Sequence, residues 1–302
     1  MRLSPQAQRA WNNPLDRQTR WRQRRGGSLL HGVEMAKHGK IRAGMGGWTF
    51  EPWRGTFYPE KLPHAQELRY AAEHVPTIEV NGTFYRTQTP KTYAKWASEA
   101  PEGFVFSLKG PRYAVNRRVL AEAGDSIQRF IDSGPLELGD KLGPLLWQFA
   151  ATKKFDAADF GAFLELLPAK VDGRKLRHVI EVRHESFCVP EFIKLARDHD
   201  VPIVFAEHAT YPAIPDITGE FIYARLQKGK DTEKMGYAPK ALDAWAQRFE
   251  TWAAGGAPDD LPPIDAKHRP AKKPRDVFAY FIHEGKVRAP HAAIALMQRI
   301  HD

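Results

Sequence analysis

Two carboxylates and three cations recur at one kind of place in this chain, the ends of short apolar runs. Glu79 and Asn81 close the run Thr77-Ile-Glu-Val-Asn81, with Gly82, an aromatic pair and Arg86 directly after. Lys109 closes residues 104–109, and Gln148 lies near the end of 145–149. Glu181, Arg183 and His184 end 179–183, and Tyr223 and Arg225 lie in 221–226. Positioned carboxylates serve as general acids and bases. Lysine and arginine clamp phosphate or carboxylate, the guanidinium in a two-pronged way.

Strand side chains alternate, so Thr77, Glu79 and Asn81 share one face while Ile78 and Val80 take the other. Glu181 shares its face with Arg183, and Tyr223 with Arg225. Such charges are costly to bury unpaired. They must therefore pair, as Glu79–Lys109 and Glu181–Arg225, or await a charged ligand. The pairing alternative makes them structural ion pairs that close the fold.

The elements that must position them follow a repeating strand-then-helix rhythm. Strands are expected at 41–46, 77–81, 104–109, 145–149, 179–183, 202–207, 221–226 and 276–282. Helices are expected at 65–74, 91–99, 125–133 with Asp125 as a cap, 157–167, 190–198, 242–254 and 289–300. Eight apolar strands alternating with helices argue for a parallel sheet covered by helices, and eight units over about 260 residues favour a closed (β/α)8 barrel of TIM type, an α/β fold. Two stretches break the rhythm: no helix is evident between His208 and Glu220, and 110–124 is irregular. An open doubly wound sheet is the alternative. It lacks its phosphate fingerprint here, since Gly44-Met-Gly-Gly-Trp-Thr has no third glycine of G-x-G-x-x-G. In a barrel the catalytic groups gather at the C-terminal strand ends, which is where the residues above stand. Glu207, His208, Tyr280 and His283 stand at further strand ends.

Of the 302 residues, 42% are hydrophobic and eight are Trp, enough for a sizeable core. The single cysteine, Cys188, has no internal disulfide partner, which fits a reducing compartment and a cytoplasmic location. No apolar run approaches the roughly 18 residues of a membrane helix, and Met1 opens no secretory signal, so no membrane partner is expected. The formal charge of +9 is concentrated at the N-terminus: residues 1–40 hold nine Lys/Arg against Asp16 and Glu34. The remainder is nearly balanced, with 36 basic and 34 acidic groups. Residues 1–40 read as a disordered basic extension to a single barrel domain at 41–302. The run Arg20-Trp-Arg-Gln-Arg-Arg25 makes nucleic acid a conceivable partner of that arm, with Trp21 for stacking. Translation from Met35 would instead leave the arm out.

Several motifs together resemble the YecE-like family of TIM barrels, domain-of-unknown-function family 72. They are Gly44-Met-Gly-Gly-Trp48, Trp53-Arg-Gly-Thr-Phe-Tyr-Pro59, Thr77–Arg86, Phe104-Val-Phe-Ser-Leu-Lys109, Lys141-Leu-Gly-Pro-Leu-Leu-Trp-Gln148, Val182-Arg-His-Glu-Ser186 and Tyr223-Ala-Arg-Leu226. The resemblance spans about residues 41–285 and implies the eight-stranded barrel but no established reaction. It implies a polar mouth of Glu79, Asn81, Tyr85, Lys109, Gln148, Glu181, Arg183, Tyr223 and Arg225, to which Trp48 is added. The chain departs from the family pattern at Ile282-His283, where an asparagine pair is usual, at His291, where an asparagine opens the last helix, and at Met45-Gly46, where a Ser-Gly-like pair is usual.

Three functions compete. The first is an enzyme, a hydrolase, isomerase or lyase, acting on a phosphorylated or carboxylated small molecule. In it Lys109, Arg183 and Arg225 clamp the anion and Glu79 or Glu181 transfers the proton. The N-terminus of the last helix, with Pro290 and His291, offers a second anion seat. No cofactor is identified. A divalent-metal version would use Glu79, Glu181 and Glu207 with His184, His208 or His283, against which stand the cations of the same mouth. The second is a nucleic-acid-binding or nuclease-like barrel, with Trp48, Trp53, Phe57, Tyr58, Phe84 and Tyr85 stacking bases. Packing of those aromatics into a lid is the plainer reading. The third is a non-catalytic binding scaffold.

Overall fold

The computed structural model describes residues 38–300, apart from the side chains of His283 and Glu284. Eight strands form one parallel sheet: β1 (Ile41–Gly46), β2 (Thr77–Val80), β3 (Val105–Lys109), β4 (Leu142–Gln148), β5 (Arg177–Glu181), β6 (Phe205–Glu207), β7 (Phe221–Lys228) and β8 (Asp276–Glu284). Their spatial order is β5-β4-β3-β2-β1-β8-β7-β6. The two end strands meet at an Ile180–Ile203 bridge, where Ile180 N donates to Pro202 O (3.0 Å) and Val204 N to Ile180 O (2.8 Å). That seam closes the barrel and rules out the open doubly wound sheet. The seam is short because Pro202, at its edge, brings no N–H to a longer ladder.

Between the strands lie α1 (Glu67–His74), α2 (Pro90–Glu99), α3 (Gly124–Asp132), α4 (Ala157–Glu165), α5 (Pro190–Asp198) and α6 (Pro239–Ala253), and α7 (Ala289–Met297) closes the chain. Pro90, Pro190 and Pro239 begin their helices, where a missing N–H costs nothing. Thr89 Oγ1 caps α2 by accepting from Thr92 N, and Asp156 Oδ1 caps α4 by accepting from Asp159 N at 2.9 Å. Asp125 is not a cap. The N-cap of α3 is Ala123, and Asp125 stands in the first turn, where its charge suits the helix dipole. The irregular stretch 110–124 holds a helical turn, Arg112–Val115, and a 3-10 turn, Leu120–Ala123. Among the described residues no helix joins β6 to β7.

Alternation divides the core in two. Ile78, Val80, Phe106, Leu108, Ile180, Ala224, Leu226, Ala279 and Phe281 face the helices. Val105, Leu146, Val179, Val204, Phe221, Tyr223, Phe278, Tyr280 and Ile282 fill the barrel. Arg42 and Arg177 plug its lower end, their guanidiniums 5.6 and 5.4 Å from the Phe278 ring centre, and share Asp276. Residues 38–40 belong to this lower face, not to an arm: Gly39 N donates to Ala253 O and Lys40 N to Asp276 Oδ1, both at 2.9 Å. The rest of the basic extension, with its expected nucleic-acid contacts and the choice between Met1 and Met35, lies outside the described residues. No described helix is long and apolar enough to cross a membrane.

Candidate functional site

Inside the barrel the polar side chains rise in layers. Thr77 Oγ1 donates to Val105 O at 2.7 Å and lies 2.8 Å from the Tyr280 hydroxyl. Above it the Tyr223 hydroxyl lies 2.9 Å from Ser107 Oγ and donates to Glu79 Oε2 at 2.8 Å. Burial, with Glu79 beside it, keeps Tyr223 protonated far above the usual phenol range, which suits a donor.

Arg225 crosses the next layer. Its Nη2 and Nε reach Glu79 Oε1 and Oε2 at 3.0 and 3.1 Å, and its Nη1 reaches Glu181 Oε2 at 2.6 Å. Gln148 Nε2 donates to the same Glu181 Oε2 at 2.6 Å, and Arg183 Nε to Glu181 Oε1 at 3.1 Å. Neither carboxylate has any exposed surface. Burial opposes ionisation of Glu181, but the Arg225 and Arg183 guanidiniums outweigh it and hold its carboxyl down at about 2. The same two carboxylates outweigh the burial of Arg225 and raise its pKa. Of the two expected pairs, Glu181–Arg225 forms and Glu79–Lys109 does not. Glu79 pairs with Arg225 and not with Lys109, because Arg225 reaches across the barrel from β7 to both carboxylates.

This layer floors a cavity of about 580 Å³ at the C-terminal mouth, lined among others by Gly46, Asn81, Tyr85, Lys109, Gln148, Arg183, Arg225 and Gln227. Gly46 matters through what it lacks. A Cβ there would stand 3.1 Å from Asn81 Nδ2 and 3.0 Å from Ile282 Cγ2, so a side chain would crowd the wall.

Lys109 is the anomaly of the mouth. It is 6% exposed, and among the described residues its ammonium has no ion-pair or hydrogen-bond partner. Its Nζ lies 4.3 Å from the Phe84 ring centre, a cation–π contact. The Lys109 carbonyl accepts from Thr83 Oγ1 at 2.7 Å, which ties the end of β3 to the turn carrying Phe84. Burial, then the Arg225 charge, pull its pKa down to about 8 against the opposing pull of Glu79 and Glu181. Arg183 is the other cation with open donors. Its Nε serves Glu181, while its guanidinium carbon lies 4.6 Å from the Tyr211 ring centre. Arg225, by contrast, has every nitrogen engaged and is not free to clamp an anion.

Other expected site residues stand elsewhere. Trp48 is not in the cavity lining; it packs edge-on against Trp96 at 5.2 Å, and its carbonyl accepts from Tyr58. Tyr223 lies below the floor. Trp53, Phe57 and Tyr58 are buried, so they form a packed lid, and of the six aromatics weighed for base stacking Tyr85 is the one broadly exposed, at 65%. Glu207 points outward: it pairs in register with Leu226, not Arg225, and accepts from Tyr237 (2.6 Å) and Trp245 (3.2 Å) on the helix side.

His184 Nδ1 meets Ser186, and His208 stacks on Tyr211. The His283 side chain lies outside the described residues. Of the residues weighed as metal ligands, Glu79 and Glu181 meet around Arg225 while Glu207 turns away, and no group of three or more His, Cys, Asp or Glu fit to hold a metal forms among the described residues. At the second anion seat two of the donors are engaged and a third is missing. Val287 N donates to Asp231 Oδ1, Ala289 N to Lys286 O, and Pro290 has no N–H. His291 sits edge-on to Phe57.

Gln227 was not among the expected residues. It lies two positions beyond Arg225 on β7 and so faces inward. It is 2% exposed, and its Nε2 is buried without a hydrogen-bond partner.

A family model described as a protein of unknown function, DUF72, matches residues 42–302. The UPF0759 protein YunF of Bacillus subtilis (strain 168) is 27% identical over 114 residues, a match covering 36% of this chain and 39% of that protein. The chain thus spans well under half the length of that curated relative in the match. A DUF72 family protein of Enterococcus faecalis V583 superposes with a TM-score of 0.63 at 18% identity, covering 87% of this chain and 98% of its own. Another, from Thermotoga maritima MSB8, gives 0.62 at 20% identity, covering 85% and 97%. At such identities the likeness speaks for the fold.

Proposed function

The chain belongs to the DUF72 family, whose description carries no activity, and from its own residues we propose that the barrel mouth is an enzyme active site for a small phosphorylated or carboxylated molecule. The observation that carries this is Lys109, whose side chain is largely buried while its ammonium opens on the cavity with no protein acceptor among the described residues. Burial of its stem and the Arg225 charge make the protonated form of Lys109 costly to keep. An anionic ligand would relieve that cost. Arg183, whose Nη groups remain open beside it, would take a second oxygen of the same anion. With Glu79 and Glu181 set against Arg225, Arg183 and Lys109, the mouth keeps one positive charge in excess.

The acid–base role moves in this reading. Glu79 and Glu181 lie in the floor and serve as fixed countercharges for Arg225. Burial pulls the Lys109 pKa down to about 8, close to where a general acid or base is most effective. The reading leaves hydrolysis, isomerisation and elimination open.

Thermal-shift titration with inorganic phosphate, pyruvate and malonate tests it on the wild type, Lys109→Met and Arg183→Met. An anion at a hundred times its Kd stabilises the wild type by roughly 2.7 kcal/mol, and both variants lose the effect. An unmoved wild type, or variants that respond equally, contradicts the reading.

A further inference from the structure

Lys109 and Arg183 account for one side of the mouth, and Gln227 stands on the other. β3 and β7 are four strands apart in an eight-stranded barrel, so Lys109 and Gln227 approach the cavity from opposite walls. On β7 the inward series is Phe221, Tyr223, Arg225, Gln227. Tyr223 and Arg225 have partners below the floor. Gln227 is the first of the series to rise above it. Its surroundings do not serve it: Ile282 on β8 and the buried Trp53 line the cavity nearby, and the Trp53 Nε1 is already given to Lys286 O at 2.8 Å. The β7–β8 register shifts between Phe281 and Glu284, level with Gln227. Irregular pairing of this kind re-aims side chains beside functional sites.

Buried amide groups are almost always hydrogen-bonded. Gln227 Nε2 is buried and unpartnered, and the residue lines a ligand-sized cavity. A leucine or methionine would fill its volume without that cost. We propose that Gln227 recognises an uncharged oxygen, hydroxyl or carbonyl, of the ligand whose anionic group is held by Lys109 and Arg183. The ligand class is thereby narrowed to hydroxy- or oxo-substituted carboxylates and phosphate esters long enough to span the mouth. The inference rests on the anion site and adds its far end. A site built to hydrogen-bond a hydroxyl discriminates strongly against the analogue that lacks it, because the site's own buried group is then left unpaired.

Calorimetric titration with matched probes tests this: 4-hydroxybutyrate against butyrate, glycerol 3-phosphate against propyl phosphate, and ribose 5-phosphate. The proteins are the wild type, Gln227→Leu and Gln227→Met. The wild type is expected to bind at least one hydroxylated probe tenfold or more tighter than its deoxy partner. Both variants are expected to lose that preference and keep the deoxy affinity within twofold. In the absence of ligand, at least one variant is expected to melt at or above the wild-type temperature. No preference in a wild type that still binds the deoxy probes overturns the role of Gln227 alone. A preference that persists in both variants does the same, as does a melting temperature lowered by several degrees in both, which would make Gln227 a structural residue. A wild type that binds none of the anions overturns the anion site and this inference together.

Discussion

Arg225 and Glu79 meet through two parallel hydrogen bonds, Nη2 to Oε1 at 3.0 Å and Nε to Oε2 at 3.1 Å, on the closed floor of the barrel mouth. The third guanidinium nitrogen is spent on Glu181. This arrangement assigns the charges of the mouth to two tasks. Glu79 and Glu181 are both held by Arg225, and Arg183 Nε adds the second countercharge at Glu181. Lys109 and the open Nη groups of Arg183 are left to face the cavity.

Glu79→Gln is predicted to cost about 3–5 kcal/mol in guanidinium unfolding, since it removes one partner of a fully buried pair. A scaffold whose Glu79 merely packs would be unchanged or more stable. Retention of full stability in this variant would show that the floor is not held by the pair.

Lys109→Met is predicted to stabilise the protein at pH 7 by about 1–3 kcal/mol, by removing a buried cation with a depressed pKa. The sign follows from proton counting. Between pH 8 and the ordinary lysine value of 10.5 the unfolded chain binds the proton more firmly than the folded one. Wild-type stability contributed by this group therefore rises with pH across that window. The variant should lack the rise, so the two unfolding free energies should converge by pH 10.5.

Glu181 acts in the opposite range. Its carboxyl is held near 2 against an ordinary value of 4.5, so its contribution is complete above pH 4.5 and is lost as pH falls toward 2. Urea unfolding of Glu181→Gln is predicted to be weaker by about 3 kcal/mol at pH 6 and to show a flatter acid limb than the wild type. Equal acid limbs would place the acid sensitivity elsewhere.

Strand alternation was enough to place Glu79, Glu181 and Arg225 inside one barrel, because each stands among apolar residues that declare the outward face. Pairing was not legible. A period of two says which side a group takes, not how far an arginine reaches across a barrel. The facing of Glu207 is not legible because β6 has only Phe205–Glu207, too few residues to show its phase. The register with β7 turns it outward. Gln227 was hidden by a boundary: ending the seventh strand at Leu226 left it off an element that runs to Lys228. Trp48, expected at the mouth, packs its ring on Trp96 instead.

The central claim is that Lys109 is an unpaired cation waiting for an anion. NMR titration of the Lys109 ε-carbon, assigned by its loss in Lys109→Met, measures this with and without inorganic phosphate. The account predicts a midpoint near pH 8 for the free protein, moved upward when phosphate binds, because an adjacent anion favours the charged form. A midpoint at the ordinary lysine value, unmoved by phosphate, would contradict it.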